Sequence, residues 1–280
     1  MPLTIMTNNA AISAQRNLSI SQADLGTSIG RLSSGLRINK ASDDAAGLGI
    51  SENLKADIRS LLQAQRNAND GVSMSQVAEG AMGQMHEIIS RMRELAVQAA
   101  NGTLGSTERG YIHTELVQLE NEVNRIANVT EFNGQKLLDG SASIGLVMQI
   151  GIQNTLNDRT SMSVTRLVTS TLGTTTLHVA STSLSTATNA RNALAAFDKA
   201  IEQLSDARAK LGAFQNRLNT TIANLAAAHE NLSAANSRIR DADVASETSS
   251  LTRSQILVQA GIAVLGQANQ LPAAALSLLQ

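Results

Sequence analysis

The sequence predicts a mainly α-helical protein, an elongated antiparallel helical bundle or coiled coil with a small β-hairpin region and the two chain ends paired as a second coiled coil. Apolar residues recur at every seventh position across residues 194–239, the pattern of a helix that packs on another helix. The only prolines are Pro2 and Pro272, so none interrupts a helix between them. The 280 residues include three Phe, one Tyr and no Trp, so aliphatic side chains must build the core, which suits thin helical layers.

Composition limits the possible functions. Charged residues make up 16% of the chain and the formal net charge is -1, so the surface is expected to associate readily and no basic run favours nucleic acid. The absence of cysteine excludes disulfides and thiolate metal sites. No apolar run approaches the ~18 residues of a membrane span, so no membrane insertion is expected. The N-terminus lacks the features of a secretory signal, and the residues alone therefore predict a cytoplasmic location.

The first predicted helix covers residues 3–36. Its apolar residues have the spacing of a coiled-coil helix: Ile5, Ile12, Leu18, Leu25, Ile29, Leu32 and Leu36. The chain then turns at Gly35, and Ser42, Asp43 and Asp44 offer side-chain oxygens that can cap a following helix. The two adjacent aspartates can also be interpreted as catalytic or metal-binding carboxylates. Capping is the preferred interpretation, because no histidine or third carboxylate lies nearby.

A second long helix is predicted for residues 45–100. Its apolar rows are Leu54, Ile58, Leu61, Gln65, Ala68 and Val72, followed by Met82, Met85, Ile89, Met92, Ala96 and Ala99. The second row is shifted in phase, and a local change of supercoil is expected near Gly80 and Gly83. A row of methionines can line a ligand groove, but at these positions filling of the core is the preferred interpretation.

A shorter helix and a β region are predicted next. Apolar residues from Ile112 to Ile126 have helical spacing, and Asn133-Gly134 is typical of a hairpin turn. Alternation through Ile152 predicts a strand, with a partner strand around residues 161–168. Half of residues 155–188 are Ser or Thr, so this segment is expected to be the most exposed and least constrained part of the chain. Its hydroxyls can carry O-linked sugar, although a solvated loop is the preferred interpretation.

The long heptad row belongs to residues 194–239, which are expected to pack on the 45–100 helix. Its members are Phe197, Leu204, Leu211, Leu218, Leu225, Leu232 and Ile239. The companion row three positions earlier is half polar, with Arg208, Gln215, His229 and Asn236. Polar side chains at such positions fix the register of a helix pair at some cost in stability.

A charged connection and a last helix complete the chain. Asp241, Asp243 and Glu247 superficially resemble a calcium loop, but the glycine and the terminal Glu are not at the required spacing, so a capped connection is predicted. Residues 251–279 form an amphipathic helix placed to pair with the 3–36 helix. Its apolar face consists of Leu251, Val258, Ile262, Leu265, Leu276 and Leu279.

These elements predict self-association rather than catalysis. Two paired helices leave apolar surface uncovered, which marks an association site, and identical subunits joined by a contact that does not close form a filament. The four histidines are isolated in sequence, and no metal-binding helix, nucleophile elbow or phosphate loop occurs. No enzyme activity, cofactor or metal is therefore expected.

Several motifs resemble those of bacterial flagellin. Its N-terminal half is similar to residues 31–50, 65–71, 93–98 and 132–134, and its C-terminal half is similar to residues 237–243, 255–261 and 267–272. The motifs occur in the same order, and the resemblance covers nearly all of the chain except about residues 141–185. Only a hairpin fits between Gly140 and Ala190, so the large variable outer domains of many flagellins are missing.

The resemblance implies a structural subunit of the flagellar filament, used for swimming motility. Residues 1–44 and 240–280 are expected to form a terminal coiled-coil polymerisation domain, and residues 45–239 a helical rod domain with a β-hairpin region near 135–185. The residues expected to carry self-assembly are Ile5, Ile12, Leu18, Leu25, Ile29, Leu32, Leu36, Val258, Ile262, Leu265, Leu276 and Leu279. A hook-filament junction adaptor of the same fold is the alternative.

The resemblance also implies a location and partners. Export in an unfolded state through the flagellar type III apparatus replaces the cytoplasmic expectation with an extracellular, secreted filament protein. The implied partners are further copies of the chain, the junction and cap proteins of the flagellum, an export chaperone and the export apparatus. In many flagellins, residues similar to Arg91, Leu95 and Glu115 contact a host Toll-like receptor, so these three are candidate receptor contacts.

Overall fold

A computed structural model describes residues 7–141 and 145–277, with side chains described as far as Gln270. Five long helices account for most of this part of the chain: α1 (Asn9–Ser34), α2 (Ala45–Ala99), α3 (Ser106–Val129), α4 (Ala187–Arg240) and α5 (Val244–Ser277). The predicted mainly α-helical fold, with helices at both chain ends and a small β region between, is confirmed.

The β region consists of two short antiparallel pairs: β1 (Glu131–Phe132) with β2 (Gln135–Lys136), and β3 (Leu146–Gln149) with β4 (Arg159–Met162). Asn133 and Gly134 have φ angles of 49° and 76° and form the tight turn of the first pair, as the dipeptide predicts. In the second pair Leu146 lies opposite Met162. Both predicted features are present, but the strands of the second pair are shorter than the alternation of apolar residues suggests.

The structure divides into two compact units, each with its own packing. The terminal unit comprises Met1–Ile58 and Glu230–Gln280, and the central unit comprises Arg59–His229. In the terminal unit α1 packs along α5, which confirms the predicted pairing of the helices near the chain ends.

Aspartates set the helix starts in the terminal unit. Asp44 Oδ1 accepts a hydrogen bond of 2.8 Å from the backbone N–H of Gly47 in the first turn of α2, and Asp243 Oδ1 accepts one of 3.0 Å from Ala245 at the start of α5. Asp43 holds the preceding turn instead, because its Oδ2 accepts from the backbone N–H groups of Lys40 and Asn39, which lower its pKa. The predicted capping of α2 is therefore confirmed for Asp44 but not for Asp43. Within residues 7–141 and 145–277 no cluster of three or more metal-ligating side chains occurs.

The core of the central unit follows one unbroken heptad seam on α2. Its buried positions alternate in steps of three and four: Leu61, Ala64, Ala68, Gly71, Ser75, Ala78, Met82, Met85, Ile89, Met92, Ala96 and Ala99. The predicted phase shift near Gly80 and Gly83 is wrong, because the seam continues through small residues that carry no large apolar side chain. The methionines of α2 fill this core, as predicted.

Helix α4 packs antiparallel to α2 in the central unit, and its predicted row is buried from Phe197 to Leu225. The direction follows from two contacts between the helices. Arg93 Nε lies 2.6 Å from Asp198 Oδ1, and Gln215 Nε2 donates a hydrogen bond of 3.1 Å to Glu79 Oε2. In the half-polar row of α4, Gln215 and Arg208 therefore both have Glu79 of α2 as a polar partner, as expected for residues that set the register of a helix pair.

From residue 164 to residue 184 the Ser/Thr-rich segment is packed against the core, so the prediction of an exposed, unconstrained loop is wrong there. We call residues 164–184 the strap. Its apolar residues Val164, Leu167, Val168, Leu172, Val179 and Leu184 belong to the buried core of the central unit. Many of its hydroxyls form hydrogen bonds to nearby backbone, as when Thr171 Oγ1 donates to the carbonyl oxygen of Val168 at 2.9 Å. Local hydrogen bonds of this kind allow threonine to be buried without water.

Two helices hold the strap by side-chain amides. On α3, Asn124 Oδ1 accepts hydrogen bonds of 3.0 Å from both the backbone N–H and the hydroxyl of Thr169. On α4, Gln203 accepts from the N–H of Gly173 at 3.0 Å and donates to its carbonyl oxygen at 3.1 Å. Gly173 has a φ of 122°, a conformation that favours glycine. The strap therefore belongs to the folded core of the central unit.

Candidate functional site

The α1–α5 pair has a heptad seam on each helix. The seam positions, all buried or partly buried, are Ala11, Ala14, Leu18, Ser21, Leu25, Ser28 and Leu32 on α1, and Leu251, Ser254, Val258, Gly261, Leu265 and Ala268 on α5. Both sets alternate in steps of three and four, the spacing of a coiled coil. Large and small residues alternate along much of the seam, which allows close approach of the two helices.

Three contacts fix the antiparallel register of this pair. Asn8 Nδ2 donates a hydrogen bond of 2.8 Å to the carbonyl oxygen of Ala268. A Cβ atom added at Gly261 would lie 3.2 Å from Leu18 Cδ1, so the leucine fills the space above the glycine. Arg31 Nη1 lies 3.8 Å from Glu247 Oε2.

The loops of the terminal unit are joined to each other by backbone hydrogen bonds. The N–H of Arg37 donates to the carbonyl oxygen of Arg240 at 2.6 Å, and the N–H of Ala242 donates to that of Gly35 at 3.0 Å. The Arg37 guanidinium also donates to the carbonyl oxygen of Ile239 at 2.6 Å. These bonds hold the end of α1 beside the end of α4.

A second set of apolar residues on α1 and α5 lies outside the seam and is uncovered. On α1, Ile12, Ile20 and Ile29 are 58%, 55% and 52% exposed. Beyond the first turn of α5 and as far as Gln270, the exposed large apolar residues are Ile256, Leu257, Ile262 and Val264. Apolar residues exposed in such number on one helix pair mark an interaction surface. We call these seven residues the outer apolar set.

The structure separates the residues predicted to carry self-assembly into two groups. Leu18, Leu25, Leu32, Val258 and Leu265 lie in the α1–α5 seam, and Leu36 is partly buried beside Asp241. Ile12, Ile29 and Ile262 belong to the outer apolar set. Ile5 and Leu279 lie outside the described residues, and Leu276 lies in α5 beyond the last described side chain.

Four members of the outer apolar set were missed by sequence reasoning: Ile20, Ile256, Leu257 and Val264. They lie off the heptad rows that indicate the two helices. The sequence does carry a signal for these four residues, since α1 and α5 contain more large apolar residues than one seam requires.

Two of the candidate receptor contacts form an exposed ion pair between α2 and α3. Arg91 donates from Nε and Nη2 to Glu115 Oε1 at 3.1 and 3.0 Å, and from Nη1 to Glu94 Oε2 at 3.0 Å. The bond to Glu115 and then the bond to Glu94 raise the pKa of Arg91. Leu95 is only 1% exposed and lies in the core, so the structure does not bring it to the same surface.

None of the helices in the described ranges is apolar over a stretch long enough to span a bilayer.

Two family models match this chain: the bacterial flagellin N-terminal helical region over residues 5–143 and the bacterial flagellin C-terminal helical region over residues 194–279. A flagellin from Halalkalibacterium halodurans is 45% identical over 273 residues, which cover 98% of each chain. A flagellar filament 33 kDa core protein from Treponema phagedenis is 40% identical over 281 residues, again 98% of each chain.

A solved structure of a putative flagellar hook-associated protein from Vibrio parahaemolyticus is also similar. It matches 71% of this chain and 100% of its own with a TM-score of 0.59 and 15% sequence identity. At that identity the likeness shows a shared fold alone.

Proposed function

The chain belongs to the bacterial flagellin family, and from this premise we propose how its parts serve the flagellum. It is a structural subunit that self-assembles into the helical filament used for swimming, and it is a component of the extracellular flagellum. The family is one of structural proteins. The hook-associated protein shares only the fold, so the junction-adaptor alternative gains no support from it.

The observation that carries our proposal is the outer apolar set. Helices α1 and α5 fill one seam with each other, yet the seven residues of the outer apolar set remain uncovered. We assign self-assembly to residues 1–44 and 240–280, with the seam residues joining α1 to α5 and the outer apolar set joining neighbouring subunits. Both segments lie within the terminal unit, which also includes the first turns of α2 and the last turns of α4. Burial of apolar surface is the main driving force of such association.

Seeded extension tests the filament function. Purified subunit added to short filament fragments is expected to lengthen them to micrometres, as seen by electron microscopy. A junction adaptor would instead add a limited layer and stop. Fragments that stay at their starting length in the presence of folded subunit would contradict the proposal.

We propose that the subunit reaches the flagellum by export in an unfolded state through the type III apparatus, after delivery by an export chaperone. In the flagellum it would contact the junction protein at the base and the cap protein at the tip. Family membership supports this route. Retention of the protein inside cells that lack a functional export apparatus is the expected result.

We also propose that Arg91 and Glu115 form a contact surface for a host Toll-like receptor, with Leu95 holding α2 against the core beneath them. Arg91→Ala is expected to weaken receptor activation by the monomer, because it removes the charge and the hydrogen bonds of an exposed arginine. Arg93→Ala is the matched control, since Arg93 is an equally exposed arginine that pairs with Asp198 instead.

Each of these substitutions should leave the free energy of unfolding nearly unchanged, because an exposed ion pair contributes little to stability. Receptor activation in a reporter-cell assay then separates the two variants. Equal activation by the wild-type chain and by Arg91→Ala would count against the receptor surface.

A further inference from the structure

Met148 on β3 joins three elements of the central unit. A Cβ atom added at Gly71 of α2 would lie 2.7 Å from Met148 Sδ and 3.2 Å from its Cε, so the methionine occupies the space of a side chain there. Leu218 Cδ1 of α4 would lie 3.0 Å from the same atom. Gly71 and Leu218 are buried, and Met148 is partly buried. The sulfur therefore packs directly on the backbone of α2, an approach that a glycine allows.

The β3–β4 hairpin depends on packing of this kind. Its sheet has two strands, and a two-stranded hairpin without further support is at best marginally stable in water. Beside Met148, the carbonyl oxygen of Gln149 accepts a hydrogen bond of 2.9 Å from Asn67 Nδ2 of α2. The apolar contact at Gly71 and this hydrogen bond together attach β3 to α2. Loss of the apolar contact should therefore destabilise the hairpin.

Exposure separates Met148 from the other methionines that the structure describes. Those on α2 and β4 are at most 7% exposed: Met74, Met82, Met85, Met92 and Met162. The sulfur of Met162 also accepts a hydrogen bond of 3.5 Å from the hydroxyl of Ser75. Met148 lines a surface groove of about 370 Å³ together with polar residues such as Asp70. Met74 borders the same groove, but Met148 is the more exposed of the two. A small polar molecule can therefore reach Met148 from solvent.

The chemistry available to this side chain is oxidation at sulfur. The chain contains no cysteine and no tryptophan, so the methionine thioethers are its most readily oxidised groups. A peroxide transfers one oxygen atom to the thioether. The sulfur gives up two electrons and forms a sulfur–oxygen bond, the oxygen–oxygen bond breaks, and hydrogen peroxide is reduced to water. The product is methionine sulfoxide, which sulfoxide reductases convert back to methionine.

The added oxygen is incompatible with the contact that the sulfur makes. An oxygen placed toward Gly71 and Leu218 would lie among apolar atoms without a hydrogen-bond donor, which is costly for a polar group. An oxygen turned to the groove is hydrated instead, and this favours side-chain positions farther from Gly71. In both cases the packing of Met148 on α2 is weakened.

We propose that Met148 is a reversible oxidation site, at which a small peroxide forms the sulfoxide and thereby loosens the β3–β4 hairpin from α2. The site belongs to the central unit of the single subunit, and it goes beyond the filament function. Oxidation at this position should act locally, because the strap is held to α3 and α4 by the separate side chains Asn124 and Gln203.

Peptide mass spectrometry of the full-length monomer treated with hydrogen peroxide tests the reactivity. In the folded chain Met148 should be oxidised at least about tenfold faster than Met82 and Met85, since a buried sulfur reacts only when the structure opens. In the chain unfolded by urea the rates should become equal. Equal rates in the folded chain would overturn the proposal.

Hydrogen exchange of the oxidised monomer tests the structural consequence. The N–H of Ile150 donates to the carbonyl oxygen of Asp158 at 2.8 Å within the hairpin, and its protection should fall by about tenfold. The N–H of Thr169, which bonds to Asn124, should keep its protection. Treatment with methionine sulfoxide reductase should restore the protection of Ile150. Unchanged protection of Ile150 in the oxidised chain, or a fall that persists after reduction, would also overturn the proposal.

Variants separate the sulfur from the contact it makes. Met148→Leu keeps an apolar side chain without sulfur, so the protection of Ile150 should withstand peroxide. Gly71→Ala places a methyl group where the sulfur lies and should lower this protection without peroxide. Gly80→Ala is the matched control on the same helix, because a Cβ atom there meets nothing within 4 Å. Equal protection in the two glycine variants would contradict the role of the contact.

The oxidation and exchange measurements on the wild-type chain need no variant, so they decide the proposal even if Gly71→Ala does not fold. All of these readouts use the monomer. Failure of the oxidation site would therefore leave the filament function unaffected, and failure of seeded extension would leave the oxidation site unaffected.

Discussion

Deletion of residues 251–280 is expected to abolish filament extension while leaving the central unit folded. The deletion removes the α5 side of the α1–α5 seam, so Leu18 and Leu25 lose the residues on which they pack. It also removes four members of the outer apolar set: Ile256, Leu257, Ile262 and Val264. An interface that loses both the α1–α5 seam and four of the seven residues of the outer apolar set should retain no measurable seeded growth.

The central unit should survive because its core is independent of both helices. Every buried residue of the main core cluster lies between Met74 and Leu211. Circular dichroism of the shortened chain should therefore keep most of the helical signal, which comes from α2, α3 and α4, and its urea unfolding should stay cooperative. A shortened chain that loses this signal would show that the two units do not fold separately, and normal extension would remove α5 from the interface.

The buried face of α4 is predictable from the sequence because its seam residues are large and apolar. The buried face of α2 is only partly predictable, because several of its seam residues are small. The row from Phe197 to Leu225 is visible because every seventh residue is large and buried. On α2 the same geometry is satisfied by Gly71, where a Cβ atom would lie 2.7 Å from Met148 Sδ and 3.0 Å from Leu218 Cδ1. A small residue is needed there because of neighbours that are distant in sequence, and no local period reveals them.

The strap could not be predicted from composition. Serine and threonine are common in solvated loops, but here their hydroxyls bond to nearby backbone while interspersed residues such as Leu172 enter the core. Its anchors, Asn124 and Gln203, lie 45 and 30 residues away from the groups they bind. Only the three-dimensional fold brings these amides to the strap.

The sequence also predicts only part of the candidate site on α1 and α5. A heptad row identifies α1 and α5 as helices that pair, but it does not tell which of their apolar residues become buried between them. Ile262 and Leu265 are one turn apart on α5 and were predicted together, yet Leu265 lies in the seam and Ile262 is 56% exposed. The distinction depends on the register with α1, which contacts such as Leu18 against Gly261 establish.

Ile262→Glu is therefore expected to block assembly without harming the fold of the subunit. The side chain is exposed in the single chain, so the carboxylate stays in water and the unfolding free energy should change by less than about 0.5 kcal/mol. In the filament the same carboxylate would be buried among apolar residues of a neighbour, without a partner charge. We expect the rate of seeded extension to fall by roughly 100-fold or more, which corresponds to about 3 kcal/mol of lost contact energy.

Two comparison variants make this result specific to the outer apolar set. Ile262→Val keeps the apolar character and should extend filaments at nearly the wild-type rate. Leu265→Ala alters the seam instead, and the loss of buried apolar area should weaken the α1–α5 pair by ~1–3 kcal/mol, so its filaments should form but dissociate at a lower temperature. Wild-type extension by Ile262→Glu would exclude this position from the subunit interface, whereas a block shared by Ile262→Val would mean that shape, rather than charge, governs the contact.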